Sequence, residues 1–121
     1  FIDFAHKIID LGVDIYHGHS AHIFQGIEIY KGKLIMYDNG DFVDDYYVGP
    51  QEKNDQQLIF FVTLQNKKIK EIKLFPLFID NCQVNLAKNN AFNEIYERIK
   101  KLSKDFNTNV IKEKDYLKVK I

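Results

Sequence analysis

The sequence has little cysteine, no net charge and no long apolar run. These features argue against an internal disulfide, a nucleic-acid partner and a membrane span, respectively. Cys82 is the only cysteine, so no internal disulfide can form and we expect a buried, unreactive thiol. Seventeen basic residues balance seventeen acidic ones, which argues against nucleic acid as a partner. The apolar runs fall far short of the roughly 20 residues that a membrane-spanning helix needs. We therefore expect no membrane span within these residues.

What is present fits one globular unit. The 121 residues are 45% hydrophobic and 14% aromatic, which is enough for a single core. The chain begins at Phe1 with an apolar pattern and without the charged start or cleavage site of a signal peptide. We interpret Phe1 as a position in the middle of a longer protein.

The first third predicts a helix, a strand and a hairpin. Residues 1–11 form a helix that stops at Gly12, with an apolar stripe at Phe1, Phe4, Ile8 and Leu11. Residues 13–18 are predicted to be a central strand. Residues 26–30 and 33–37 flank Lys31 and Gly32, which suit a tight hairpin turn. The loop that holds His19 and His22 thus follows the carboxyl end of this strand, which itself contains His17, and ligands bind at such ends in open α/β sheets.

The remainder predicts a second hairpin, a helix and a last strand. The hairpin runs from residues 58–64 to 69–79, with a bulge near Glu71 and with Pro76 at an edge or at the strand's end. Residues 90–106 form an amphipathic helix capped by Asn90. Alternation at residues 116–121 predicts a terminal strand whose lysines suit an edge or a tail.

The histidine loop, "GHSAH", has the form of a metal-binding segment. Imidazole binds Zn, Mn, Fe or Ni, and Gly18 allows the sharp turn that aims a side chain at an ion. The small residues between His19 and His22 let both rings face one site. The alternative is that histidine is simply common in loops. We expect His17 to be a neighbour of the site, and His6 to be an ordinary surface residue of the first helix.

The string "GHSAHIFQGIEIYKGKLIMYDNGDFVDDY" resembles the CapA family, which is named for a capsule biosynthesis protein of poly-gamma-glutamate producers. That family belongs to the calcineurin-like metallophosphoesterase superfamily. The shared pattern is a G-H-x-x-H loop, a Q-G-I-E-x-Y-x-G-x-x-I-x-Y hairpin and a G-D-F turn, here at Gly18, His19, His22, Gln25 to Glu28, Tyr30, Gly32, Ile35, Tyr37, Gly40, Asp41 and Phe42. The resemblance covers about the first 106 residues.

The resemblance implies an α/β fold, namely the carboxyl-terminal part of a metallophosphoesterase-like α/β sandwich of two packed sheets. Residues 1–106 would be the carboxyl-terminal half of the domain, and residues 107–121 a terminal strand or tail. His19 and His22 would be the last two ligands of a centre with two divalent ions, Mn, Fe or Zn. The family's early Asp-x-His and Asn-His-Glu motifs are absent from the sequence. A missing upstream half would therefore have to complete the site.

Three further residues are candidates for roles beside the metal. We predict that Asp41 receives an imidazole N–H from a ligand histidine, and that Gln25 and His17 support the site or contact substrate. The alternative is that Asp38, Asn39 and Asp41 only form turns. Asp44, Asp45, Tyr46 and Tyr47 either line a cleft or make a solvated acidic turn. No catalytic residue is assigned.

Two functions of different classes follow from the resemblance. The first is a metal-dependent phosphoesterase-type hydrolase acting on a phosphoester substrate, incomplete without the upstream half. The second is a non-catalytic factor for assembly, export or anchoring of an anionic capsule polymer such as poly-gamma-glutamate. Lys67, Lys68, Lys70 and Lys73 offer that polymer a modest basic patch, although they also suit a solvated hairpin tip. If the protein follows the family, it acts in the cell envelope or outside the cell.

Overall fold

The histidine loop is carried by a small sheet that shares its core with a larger one. The computed structural model describes residues 1–43 and 48–121. Its helices and strands are α1 (Ile2–Asp10), β1 (Ile15–His17), β2 (Ile27–Tyr30), β3 (Lys33–Met36), β4 (Gln56–Gln65), β5 (Lys68–Asp80), β6 (Gln83–Leu86), α2 (Asn89–Lys104), β7 (Val110–Lys112) and β8 (Leu117–Val119). Neither helix of these described ranges has the length and apolarity to cross a bilayer, as expected.

The small sheet has the order β1-β3-β2. Strands β2 and β3 form the predicted antiparallel hairpin, and Lys31 and Gly32 both have the positive φ of a type I′ turn. Strand β1 pairs with β3 in parallel. It lies at the edge of the sheet within the described residues, so the prediction of a central strand is wrong there. Its apolar residues are instead covered from the faces of the sheet.

Helix α1 covers one face of the small sheet, but with a different stripe from the one predicted. Ala5 and Ile9 are buried in a cluster with Ile35 and Tyr37. The predicted stripe is largely exposed: Phe1 is 80%, Phe4 57% and Leu11 84% accessible. The small side chain of Ala5 lets the helix backbone approach the sheet, which turns the bulkier positions outward. The stop at Gly12 is confirmed by its φ of +104°.

The large sheet has the order β4-β5-β8-β7, with β6 also paired to β5. Strands β4 and β5 form the predicted second hairpin. Thr63 pairs with Glu71 while Leu64 pairs with Ile69, so Lys70 is the extra residue of a bulge, as predicted near Glu71. A bulge of this kind bends the strand that carries it and increases its twist.

Pro76 is not at an edge or at the end of its strand, so that prediction is wrong. It lies inside β5 and pairs with Leu58 of β4. Its carbonyl accepts a hydrogen bond from Ala87 N–H, so its missing N–H would point to the same side. On that side the pairing with β8 ends at Leu74 and the pairing with β6 begins at Leu77. The proline therefore falls in a gap of the ladder, where no N–H is needed.

The last strand lies deeper than its lysines suggested. Strand β8 sits between β5 and β7, and Leu117 and Val119 are buried. Its lysine points away from the core, which a strand in a one-sided sheet allows. The helix before it begins one residue earlier than predicted, and its N-cap is Lys88, not Asn90. The boundary at residue 106 stays a prediction.

One core joins the two sheets and α2. Phe24 and Ile27 of the small sheet's side meet Leu74 of the large sheet and Ile95 and Ile99 of α2. Two packed sheets with flanking helices confirm the predicted α/β sandwich. Cys82 was expected to be buried and is exposed, because it lies in the turn between β5 and β6.

Candidate functional site

The histidine loop begins at a glycine that no other residue can replace without a clash. Gly18 follows β1, is buried, and donates its N–H to Met36 O. A Cβ at Gly18 would lie 2.1 Å from Tyr37 O, well inside van der Waals contact. The loop therefore passes directly against the end of β3, and this fixes where the following histidines emerge.

Asp38 fastens the loop to the turn after β3. Its side chain is 4% accessible, and its two carboxylate oxygens accept hydrogen bonds from Ala21 N–H at 2.9 Å and Gly40 N–H at 2.8 Å. Its carbonyl accepts from Gln25 N–H. Charge-assisted bonds of this kind hold loops firmly. Asp38 thus shapes the site by tying its two loops together, in keeping with its interpretation as a turn residue.

His22 and Asp41 meet across these two loops. Their Nδ1 and Oδ2 atoms are 2.6 Å apart, although 19 residues separate them in sequence. The His22 side chain is 63% accessible and that of Asp41 is 23% accessible. When Nδ1 carries the proton that Asp41 accepts, Nε2 carries the lone pair that a metal ion requires. The contact has the geometry predicted for Asp41, while a role in metal binding stays a prediction.

Gln57 links these residues from the interior of the protein, and the sequence did not predict its role. It is fully buried in β4. Its Oε1 accepts from Asp41 N–H at 3.1 Å, and its Nε2 donates to His22 O at 3.0 Å and to Asn54 O at 2.9 Å. A buried amide needs hydrogen-bond partners for its oxygen and its nitrogen, and here the backbones of both site loops supply them. The only signal in the sequence is a polar residue directly before an apolar strand.

His17, His19 and Gln25 share an open cavity of about 560 Å³ at the carboxyl end of β1. Phe1, Tyr16 and Tyr37 form its aromatic walls. His19 Nδ1 lies 2.7 Å from Ser20 Oγ. His17 is exposed and lines the same cavity, and its role beside a metal site stays a prediction. The cavity is thus lined by imidazole, amide and aromatic groups, which suits a polar ligand of small size.

His6 is not the surface residue that the sequence suggested. It is half-buried, its ring stacks on Tyr30 at 3.9 Å, and its Nε2 lies 2.9 Å from Glu28 Oε2. Tyr37 OH donates to the same Glu28 oxygen at 2.5 Å. Burial, and then this hydrogen bond, raise the pKa of Tyr37 well above its ordinary value. The network attaches α1 to the sheet beneath the cavity.

The described residues supply only part of a metal site. No group of three or more His, Cys, Asp or Glu side chains converges on one point among residues 1–43 and 48–121. Asn39 Oδ1 is buried near the loop without a hydrogen-bond partner in the described structure, and such an oxygen suits a donor or a cation. The described residues therefore offer imidazole and oxygen donors in the two loops, but they do not complete a metal site. Asp44, Asp45, Tyr46 and Tyr47 lie outside the described residues.

The family is decided by comparison with known proteins. Residues 1–46 match the family model described as bacterial capsule synthesis protein PGA_cap. The PGA biosynthesis protein CapA of Bacillus subtilis and the capsule biosynthesis protein CapA of Bacillus anthracis are 44% and 42% identical over 41 residues. These stretches cover 34% of this chain and 11% and 10% of those proteins. The chain belongs to the CapA family.

A longer alignment extends the likeness over nearly all of this CapA-family chain. A probable polyglutamine synthesis accessory protein of Mycobacterium tuberculosis is 32% identical over 121 aligned positions, which cover 96% of this chain. They cover 32% of that relative. The chain therefore spans about a third of the length of that relative. The match to the family model, over residues 1–46, includes both loops of the site.

Proposed function

We propose that the histidine loop of this CapA-family chain supplies two ligands, His19 and His22, to a divalent-metal centre that hydrolyses a phosphoester during capsule synthesis. The observation that carries the proposal is the 2.6 Å contact between His22 Nδ1 and Asp41 Oδ2. A carboxylate behind an imidazole is the usual support of a metal-binding histidine. The ions would be Mn, Fe or Zn, which accept imidazole nitrogen.

The proposal divides the work between this chain and further residues of the natural protein. When bound, a divalent ion would lower the pKa of a coordinated water and neutralise phosphoryl oxygens. The chain's own residues would hold the metal-binding histidines and orient the bound ligand. Asp41 fixes the tautomer of His22, Gln57 fixes both loops, and the cavity walls at Tyr16 and Tyr37 exclude water from one side of the ligand. The remaining metal ligands would come from a segment that corresponds to other parts of the relatives.

An assay of the natural protein with an aryl phosphate and added Mn²⁺ tests the hydrolase. His19→Ala and His22→Ala should each abolish most of the turnover and lower the amount of bound Mn²⁺. His17→Gln is the matched control, because His17 lines the same cavity as His19 without being a predicted ligand, and it should keep the bound Mn²⁺. Unchanged turnover in both alanine variants would contradict the metal role.

A second candidate function is non-catalytic handling of an anionic capsule polymer, and the distribution of charge favours it. Residues 1–55 hold four basic and ten acidic residues, whereas residues 56–121 hold thirteen basic and seven acidic ones. The chain is neutral as a whole but carries a net charge of +6 in its second part. Such separation of charge can attract a polyanion locally. The relatives' names, as capsule biosynthesis and accessory proteins, agree with either function.

The predicted basic patch is only partly available to a polymer. Lys67, Lys68 and Lys70 are exposed at the tip of the β4–β5 hairpin. Lys73 is half-buried, lies over the Tyr116 ring at 5.0 Å and is 3.3 Å from Glu71. Binding of poly-gamma-glutamate should therefore weaken strongly with added salt and with charge reversal at Lys67, Lys68 and Lys70. Binding that is insensitive to salt, or absent, would contradict this second function.

A further inference from the structure

Strand β1 has an open edge within the described part of the chain. Among the described strands it pairs with β3 alone, and therefore on one side only. On that side Asp14 O accepts a hydrogen bond from a β3 amide, and Gly18 N–H donates to a β3 carbonyl. Successive residues of a strand bond to opposite sides, so the backbone N–H and C=O groups of Ile15 and His17 point to the open edge. These groups are placed to bond a further strand.

The two flanks of α1 lie over the two outer strands of the small sheet. On one flank, His6 Nε2 lies 2.9 Å from Glu28 Oε2 of β2. On the opposite flank, the Phe4 ring centroid lies 6.2 Å from that of Tyr16 of β1. Tyr16 and Glu28 are both register partners of Ile35, so they lie on either side of β3. The flank that carries Phe4 is therefore on the same side of the sheet as the open edge of β1.

This flank of α1 is apolar and uncovered. The open flank is formed by Phe1, Phe4 and Leu11, which are about one and two turns apart and therefore share one side of the helix. Each of them is more than half exposed. Val13, between α1 and β1, extends the apolar surface toward the open edge. Clustered apolar side chains of this kind mark a surface on which other chain segments pack.

The open edge and the open flank both border the cavity of the candidate site. Phe1 and Tyr16 line that cavity together with His19. The cavity lies at the carboxyl end of β1, and the described residues complete no metal site there. A segment that filled the edge and the flank would therefore also reach the rim of the cavity.

We propose that a segment of the natural protein outside these 121 residues adds a strand to the open edge of β1 and packs on the open flank of α1. The length of the relative supports this occupant, because the aligned positions cover only 32% of the Mycobacterium tuberculosis protein. A second copy fits less well, because a three-residue edge and one helix flank are small against the roughly 800 Å² per partner of a specific interface. A tethered segment avoids most of the cost of association. In a last step, which rests on the proposed function, the same segment supplies the missing metal ligands beside His19.

Amide hydrogen exchange of the natural protein, resolved to single residues, tests the added strand. The amides of Ile15 and His17 should exchange at least about 100-fold more slowly than unstructured amides. Tyr16, whose backbone groups face β3, is the internal control and should be protected in either case. Rapid exchange at Ile15 and His17 beside a protected Tyr16 would overturn the proposal. Protection that falls when the protein is diluted would also overturn it, because the edge would then belong to a second copy.

Substitutions on α1 of the natural protein test the open flank. Phe4→Ser and Leu11→Ser should each lower the melting temperature by about 5 °C, because each removes an apolar side chain that the added segment covers. Lys7→Ser is the matched control on the same helix, since Lys7 is exposed and lies about half a turn from both Ala5 and Ile9, which face the sheet. It should change the melting temperature by less than about 2 °C. Equal melting temperatures of Leu11→Ser and Lys7→Ser would overturn the proposal.

Both measurements are made on protein treated with a chelator, so neither depends on a bound ion. The exchange measurement also needs no variant, and circular dichroism confirms that each variant is folded before it is heated. A protected edge in a protein that binds no metal would contradict the proposed function and support this inference. A protein that binds metal but leaves Ile15 and His17 unprotected would contradict this inference alone.

Discussion

Nδ1 of His22 lies 2.6 Å from Oδ2 of Asp41, and this contact joins the loop after β1 to the turn after β3. Both residues sit on backbone that Gln57 holds from inside the protein. His22 has a positive φ of 62°, which non-glycine residues adopt rarely. A strained backbone conformation held by a buried network is typical of functional sites. The loop is therefore shaped to present His22 in one orientation.

Replacing the carboxylate of Asp41 should weaken metal binding without unfolding the protein. Asp41→Asn keeps the shape of the side chain but removes the charge that supports the imidazole. We expect a loss of about 10- to 100-fold in Mn²⁺ or Zn²⁺ affinity of the natural protein, measured by competition with a chelator. Asp10→Asn removes a carboxylate that contacts Lys31 instead, and its affinity should be unchanged. Equal affinities in all three proteins would refute the supporting role.

Removing the buried amide of Gln57 should destabilise the protein through its loops. Gln57→Ala leaves Asp41 N–H, His22 O and Asn54 O without their present partner. We expect the free energy of unfolding to fall by about 3 kcal/mol in urea titrations. Gln65→Ala, at the exposed end of the same strand, should change it by less than about 0.5 kcal/mol. A small effect at Gln57 would mean that water replaces the amide.

Two glycines should respond differently to the same substitution. At Gly18 a methyl group would meet Tyr37 O at 2.1 Å, and Gly18→Ala should cost about 3 kcal/mol of unfolding free energy. Gly32 has open space around it but a φ of +75°, so Gly32→Ala should cost only about 1 kcal/mol. Chemical denaturation of both variants measures the difference. The reverse order would show that the close approach at Gly18 is absent.

The stability of the protein should fall in alkali because of Tyr37. Its pKa is raised in the folded state by burial and by Glu28, above the ordinary value of 10.0. The folded protein therefore holds the proton more tightly, and this stabilisation is complete below pH 10.0 and is lost as the pH rises above it. The loss should approach about 1.4 kcal/mol per pH unit. Tyr37→Phe should remove this part of the slope in urea titrations at several alkaline pH values.

Local sequence patterns predicted the features that depend on only a few neighbouring residues. The turn at Lys31 and Gly32, the stop at Gly12 and the bulge beside Glu71 all follow from backbone preferences of a few residues, and the structure has each of them. The burial of α1 does not follow in this way. Which stripe faces the sheet depends on the fit of Ala5 against Ile35 and Tyr37, and these residues are distant in sequence.

The site residues also divide into those that the sequence predicted and those that it did not. The resemblance to the CapA family led to Asp41 as a partner of a loop histidine, and the structure places it against His22. Gln57 could not be found this way, because its three bonds reach residues in other segments and no local pattern marks them. His6 was misjudged for the same reason, since Glu28 and Tyr30 meet it only in the folded sheet.

Metal analysis of the natural protein is the most direct test of the central claim that His19 and His22 bind a divalent ion. Purified protein that is loaded with Mn²⁺ or Zn²⁺ and then desalted should retain the ion, as measured by elemental mass spectrometry. His19→Ala and His22→Ala should each lose most of it, while His17→Gln retains it. The 121-residue chain alone should bind weakly in calorimetry, because its described residues complete no site. Full metal retention by both alanine variants would contradict the account.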